Sequence, residues 1–319
     1  MSSVRVIMQK AAQENLLLHQ MDVKTAYLHA PIDCELYIEQ PEGFEKESKS
    51  GKLVCKLQKS LYGLKQSGRN WNALLHACLS ENGFKQNPVD HCVYSKENQK
   101  GKVIILIWVD DLILAASNDA VLMDVKKMLT ERFKMKDLGR LKHFLGIDFS
   151  QTEGQVKMSQ TRYVNKILER FGMQDCRARE TPCEPKLEYS EDSQKLTDPR
   201  EYREAVGTLL YLSTCTRPDL SYVVSNLSRH FAEPTDEHWK TVRHVFRYLK
   251  GTMNQGLTFT QDDTNSLGLR VFTDADWASD ASDRRSTTGY CVSLSQGNGL
   301  ISWKTRKQQT LLVRRSICR

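Results

Sequence analysis

Residues 103–115 read Val-Ile-Ile-Leu-Ile-Trp-Val-Asp-Asp-Leu-Ile-Leu-Ala. An apolar, largely β-branched run that is broken by two acids and then resumes predicts a β-hairpin with Asp110 and Asp111 at its tip. Neighbouring carboxylates between buried half-strands repel each other and lose solvation, so a cation is expected to neutralise them. Hard oxygen ligands suit Mg²⁺, which takes one or two carboxylates with substrate phosphates and keeps several waters. As an isolated pair, Asp-Asp is more often a solvated turn. A third acid alters that balance. Asp22, in the stretch His19-Gln-Met-Asp-Val-Lys-Thr-Ala-Tyr27, falls in a predicted short strand. With it the set would complete a two-metal site for in-line phosphoryl transfer.

Outward from the hairpin the pattern alternates. Residues 4–18 are mostly helix-compatible. Trp71, Leu74, Leu75, Cys78 and Leu79 recur at helical offsets, with Gly83 as terminator. Asp119 is placed to cap a helix running to about Phe133, residues 144–149 read as a strand, and Tyr163, Ile167, Leu168 and Phe171 mark a helix stopped by Gly172. Residues 181–200, rich in Pro, Glu, Lys, Ser and Asp, have the composition of a solvated linker. Three helices are expected over 201–249, interrupted at Arg217-Pro218 and at Pro234. Strands follow over 256–260, 267–273, 288–294 and 300–304. Strands mixed with helices in this way make the chain α+β or α/β.

Composition bounds the rest. The 319 residues leave room for roughly two domains, and 39% hydrophobic against 27% charged residues excludes global disorder. The longest apolar stretch, 103–109, is far short of the roughly 20 residues a spanning helix needs, and no apolar signal region follows Met1, so an intracellular protein away from membranes is expected. Nine scattered cysteines without a Cys-x-x-Cys pair fit neither a disulfide framework nor a zinc ribbon. The net charge of +7 favours a polyanionic partner without requiring one.

Several ordered motifs then carry a resemblance. They are Gln20-Met-Asp-Val-Lys-Thr-Ala-Tyr27, Gln40-Pro-Glu-Gly-Phe44, Lys59-Ser-Leu-Tyr-Gly-Leu-Lys-Gln-Ser67, residues 108–114, Phe133-Lys-Met-Lys-Asp-Leu-Gly139 and Phe144-Leu-Gly-Ile147. Together they resemble the reverse transcriptase region of the Pol polyprotein of copia-type (Ty1/copia) LTR retrotransposons, nearly end to end. The resemblance implies an α+β fold with a right-hand polymerase palm and partial fingers over 1–180 and a linker over 181–200. A helical thumb or connection over 201–254 and a truncated ribonuclease H-like α/β end over 255–319 would follow.

It further implies Asp22, Asp110 and Asp111 as catalytic metal ligands for two Mg²⁺ ions, with Asp111 in the supporting role. Tyr27 would crowd the 2′-position of the incoming deoxynucleoside triphosphate; as bare sequence it is a core aromatic. Tyr62, Gly63, Lys65 and Gln66 would contact the nascent base pair, and Trp108, where the family usually has Tyr, would pack beside the primer terminus with altered geometry. Phe144, Leu145 and Gly146 would hold the DNA primer, or simply form a buried strand. The implied partners are an RNA or DNA template and a DNA primer. The implied setting is cytoplasmic, in a virus-like particle, or nuclear.

Val271-Phe-Thr-Asp-Ala-Asp-Trp277 resembles the start of a ribonuclease H domain, making Asp274 a vestigial first ligand. No acid follows Asp283, and the chain runs into a basic ending, so ribonuclease H activity is expected to be lost. Family members also carry basic strands ahead of the position of Val4. The leading expectation is therefore an RNA-directed DNA polymerase fragment, and its rival is a degenerate, non-catalytic remnant that at most binds nucleic acid. An aspartic protease would need Asp-Thr/Ser-Gly turns, and neither Asp22 nor Asp110 stands in one.

Overall fold

The computed structural model describes residues 1–47, 51, 53–185, 187–190, 192–262, 268–278, 280, 283–294 and 299–309. Contacts divide the chain into two units, Leu16–Leu141 and a second made of Met1–Asn15 with Lys142–Arg319. The basic ending, 311–319, lies outside the described residues.

Helix α1 (Ser2–Gln13) belongs to the second unit, and β1 (Leu17–Val23) opens the first. A 3-10 helix, Ala26–His29, follows, then β2 (Tyr37–Glu39), β3 (Val54–Lys56), α2 (Ser67–Glu81), β4 (Lys85–Gln86) and β5 (Val93–Asn98). The unit closes with β6 (Gly101–Trp108), β7 (Asp111–Ala116), α3 (Asp119–Arg132) and β8 (Met135–Arg140). Six strands form one antiparallel sheet in the order β4-β5-β6-β7-β1-β8, and β2 pairs with β3 apart from it. The hairpin anticipated from residues 103–115 is therefore central to the sheet. Its β6 is buried on both faces, which is why its sequence is a continuous apolar run and does not alternate.

Alternate residues Val103, Ile105, Ile107, Leu112, Leu114 and Ala116, with Met21 and Val23, face the stripe Trp71, Leu75 and Leu79 of α2 and Val125 and Leu129 of α3. Two helices on one sheet face make an α+β layer, and its core holds the hairpin rigid. The cap of α3 differs from expectation. Asn118, with extended backbone, accepts the Val121 N–H at 3.0 Å, and Asp119 is already the first helical residue, where its charge favours the positive end of the helix dipole.

In the second unit, β9 (His143–Phe144) and β10 (Ile147–Thr152) replace the single strand expected over 144–149. Leu145 and Gly146 adopt φ of 49° and 70°, so the chain reverses between Phe144 and Ile147; a leucine gives no turn signal, and the reversal was unreadable locally. Then come β11 (Gln155–Ser159), α4 (Thr161–Arg170), α5 (Arg200–Cys215), α6 (Ser221–Leu227), α7 (Asp236–Gly251), β12 (Gly256–Thr260), β13 (Arg270–Ala275), β14 (Thr287–Ser293) and β15 (Leu300–Lys307). The β12 strand pairs with β11 in a sheet ordered β12-β11-β10-β9, while β13, β14 and β15 form a sheet of their own. Gly256 makes the first pairing possible: a Cβ there would collide with the Met158 carbonyl oxygen. Helices α4 to α7 share a core of Leu168, Tyr202, Leu209, Val223, Val245 and Phe246. In the stretch expected to be a solvated linker, the Leu196 N–H donates to Pro234 O, and Cys183, Leu187 and Leu196 pack against the cluster.

Candidate active site

Trp108 and Asp111 are cross-strand partners, so Val109 and Asp110 alone make the hairpin turn. Val109 sits at φ 56°, a left-handed conformation costly for a β-branched residue. Both turn carbonyls are held from outside. The Trp71 indole N–H donates to Val109 O at 2.8 Å, and the Val23 N–H donates to Asp110 O at 2.8 Å. Thr25, at φ 53°, is also left-handed and turns the chain out of β1 into the 3-10 helix that carries Tyr27. Tyr27 therefore stands beyond β1.

Register does the rest. β1 and β7 are antiparallel with Asp22 opposite Asp111, and the Val23 bond draws Asp110 to the same corner. Like charges directly opposed across a sheet are unfavourable. Burial holds the Asp111 carboxyl above the ordinary carboxylate range, and the charges of Asp22 and Asp110 push the same way against a Gln20 hydrogen bond that lowers it. That bond runs from Gln20 Nε2 to Asp111 Oδ1 at 3.2 Å. The Tyr62 hydroxyl donates to Asp110 Oδ2 at 2.7 Å, and burial first, then this carboxylate, pushes the phenol up to about 12. Asp110 Oδ1 is buried and, among the described residues, has no hydrogen-bond partner.

An unsatisfied buried carboxylate oxygen beside two more carboxylates suits a hard cation. Among the described residues no group of three or more His, Cys, Asp or Glu side chains forms a ready-made metal cage. Mg²⁺ does not need one, because it completes its shell with water and substrate phosphate. Asp22, Asp110 and Asp111 are the residues that would hold it.

The remaining predicted residues divide. Tyr27 packs against Tyr62 with ring centroids 4.5 Å apart and planes tilted by 37°, which links it to Asp110 through the Tyr62 phenol. Trp108 is 53% exposed at the hairpin end. Gly63, at φ 97°, adopts a backbone that favours glycine, with open space around it. Lys65 is exposed, and the Gln66 amide donates to Cys34 Sγ at 3.3 Å, away from the carboxylates. Phe144, Leu145 and Gly146 belong to the second unit. There Phe144 is buried, the Leu145 carbonyl accepts the Tyr211 hydroxyl, and Gly146 is crowded by that same phenol. Asp274 lies on exposed β13, its carboxylate accepting the Ala275 N–H at 2.8 Å. Sequence reasoning missed Gln20, whose position two residues before Asp22 on one strand face was a usable signal, and Trp71, which it placed only in a core stripe.

This fold and corner define the class: the chain belongs to the reverse transcriptase (RNA-dependent DNA polymerase) family, whose profile matches residues 1–185. More narrowly, it is a copia-like reverse transcriptase region. It is 37% identical over 323 residues to the Retrovirus-related Pol polyprotein from transposon TNT 1-94 of Nicotiana tabacum, covering 98% of this chain and 24% of that one. Against the transposon RE1 polyprotein of Arabidopsis thaliana it is 37% identical, over 97% of this chain and 21% of the other. A transposon Ty5-1 protein of Saccharomyces cerevisiae is 33% identical, with 90% of this chain and 92% of that protein aligned. The chain thus spans a quarter or less of the Pol polyproteins it matches. No helix among the described residues is long and apolar enough to cross a membrane.

Proposed function

We propose that the chain carries RNA-directed DNA polymerase activity of a copia-like element, extending a DNA primer 3′-hydroxyl on an RNA or DNA template by two-metal nucleotidyl transfer. The supporting observation is that Asp22 pairs with Asp111 across β1 and β7 and the Val23 N–H holds the Asp110 carbonyl at the same end, while among the described residues Asp110 Oδ1 has no hydrogen-bond partner. In this reading the sheet with α2 and α3 is the palm, β2 and β3 belong to partial fingers, and α5 to α7 form the thumb or connection. Mg²⁺ bound at the corner would make the primer hydroxyl more acidic and offset charge on the triphosphate. The chain's own residues position and exclude. Tyr27, backed by Tyr62, presents an aromatic edge that would disfavour a 2′-hydroxyl, and the rigid hairpin fixes the acids before substrate arrives. Phe144, Leu145 and Gly146 stay assigned to the primer strand, and Lys65 and Gln66 to the nascent pair.

The test is primer extension on an RNA template with Mg²⁺, comparing the full chain with Asp110→Asn. The wild type should extend, and the variant should lose about a hundredfold or more in rate. Should neither extend while both hold duplex at low salt, the polymerase reading gives way to a nucleic-acid-binding remnant.

A further inference from the structure

The two hairpin acids are not equivalent, and neutral donors make them so. Gln20 is buried, 7% exposed, and lies on the same face of β1 as Asp22. It pairs with Ile113 across β7, which puts it diagonal to Asp111, close enough for its amide to donate to Asp111 Oδ1. The phenol of Tyr62 takes Asp110 Oδ2 in the same way and leaves Oδ1 bare. A lysine or arginine at position 20 would neutralise Asp111 and compete with a cation. A glutamate would add a fourth negative charge to a corner where Asp22 already opposes Asp111. Only an uncharged donor fixes one oxygen of Asp111 and keeps the full negative charge of the corner.

We propose that Gln20 is a positioning residue: by holding Asp111 Oδ1 it confines Asp111 to a supporting role and leaves Asp22 with Asp110 Oδ1 as the principal cation ligands. This rests on the polymerase reading and names how that site is set. A second consequence concerns repulsion. By donating to Asp111, Gln20 offsets part of the Asp22–Asp111 opposition independently of any cation.

Mn²⁺ alone, titrated into the full chain without nucleic acid and followed by electron paramagnetic resonance, separates this from a structural role. Gln20→Met keeps length and loses the donor; its Mn²⁺ affinity should fall about tenfold, the worth of one hydrogen bond to a charged group. Gln20→Glu keeps shape and adds charge. Its thermal midpoint should drop in chelator and recover with Mn²⁺ by more than the wild type gains, a readout that does not depend on Gln20→Met folding. If Gln20→Met binds Mn²⁺ as the wild type does and Gln20→Glu shows no extra recovery, Gln20 is structural only and the proposal fails alone. A wild type that binds no Mn²⁺ alone overturns this proposal, and one that also binds none with a deoxynucleoside triphosphate and extends no primer overturns the polymerase reading with it.

Discussion

At the scale of single residues the corner depends on Val109. Its left-handed backbone costs about 1–3 kcal/mol and persists because Trp71 and Val23 over-determine the turn. The side chain is half exposed and contributes little packing. Val109→Gly should therefore raise stability by roughly 1 kcal/mol, read as a higher urea midpoint at unchanged slope. A lower midpoint would show that the turn is unstrained. Asp110 and Asp111 were legible because two acids interrupt an apolar run and Asp22 offers a third, where the pair alone reads as a solvated turn. The strain at Val109 was not, since valine carries no turn signal and only the fixed strand register forces it.

At the scale of elements, α7 shows how a helix start can become pH-sensitive. His238 is buried at the third helical position, and its Nδ1 accepts both the Thr235 N–H and the Thr235 hydroxyl. Nδ1 can therefore carry no proton, and the hydrogen sits on Nε2, which is buried and has no hydrogen-bond partner among the described residues. His230 stacks on the ring at 3.9 Å, and Tyr189 and Tyr202 flank it. Burial first, then the neighbouring His230, lowers His238 to about 4 from an ordinary 6.5, with Asp236 opposing. Between those values the unfolded chain binds a proton that the folded one refuses. This contribution is complete above 6.5 and is lost as pH falls towards 4. Urea unfolding from pH 7 to 4.5 should show stability falling, and His238→Gln should flatten that slope; an unaltered slope would clear His238 of the effect. Helix α7 itself was readable from Pro234 and the apolar period, whereas the partnership of His238 with His230 needed two helices to pack.

At the scale of the whole molecule, the +7 charge bears on the proposed template-primer partner. Duplex is gripped chiefly through phosphate with counterion release, so affinity should fall by several orders of magnitude between about 50 and 200 mM salt if roughly six phosphates are neutralised. Binding measured by fluorescence anisotropy at several salt concentrations checks this, and a flat response would exclude phosphate-led binding.

The amino-acid order determined by itself the hairpin, the helices around Trp71 and Leu168, and the adjacency of Asp110 and Asp111, because each rests on a local period or a near neighbour. The ordered motifs settled the family. Tertiary structure alone decided that Asp22 faces Asp111, that Gln20 reaches Asp111 across 91 residues, and that Tyr62 reaches Asp110 across 48. Those facts depend on strand register and on loop closure over long separations, and a slip of one residue between β1 and β7 would have put Gln20 and Asp22 on the face of the sheet opposite Asp111.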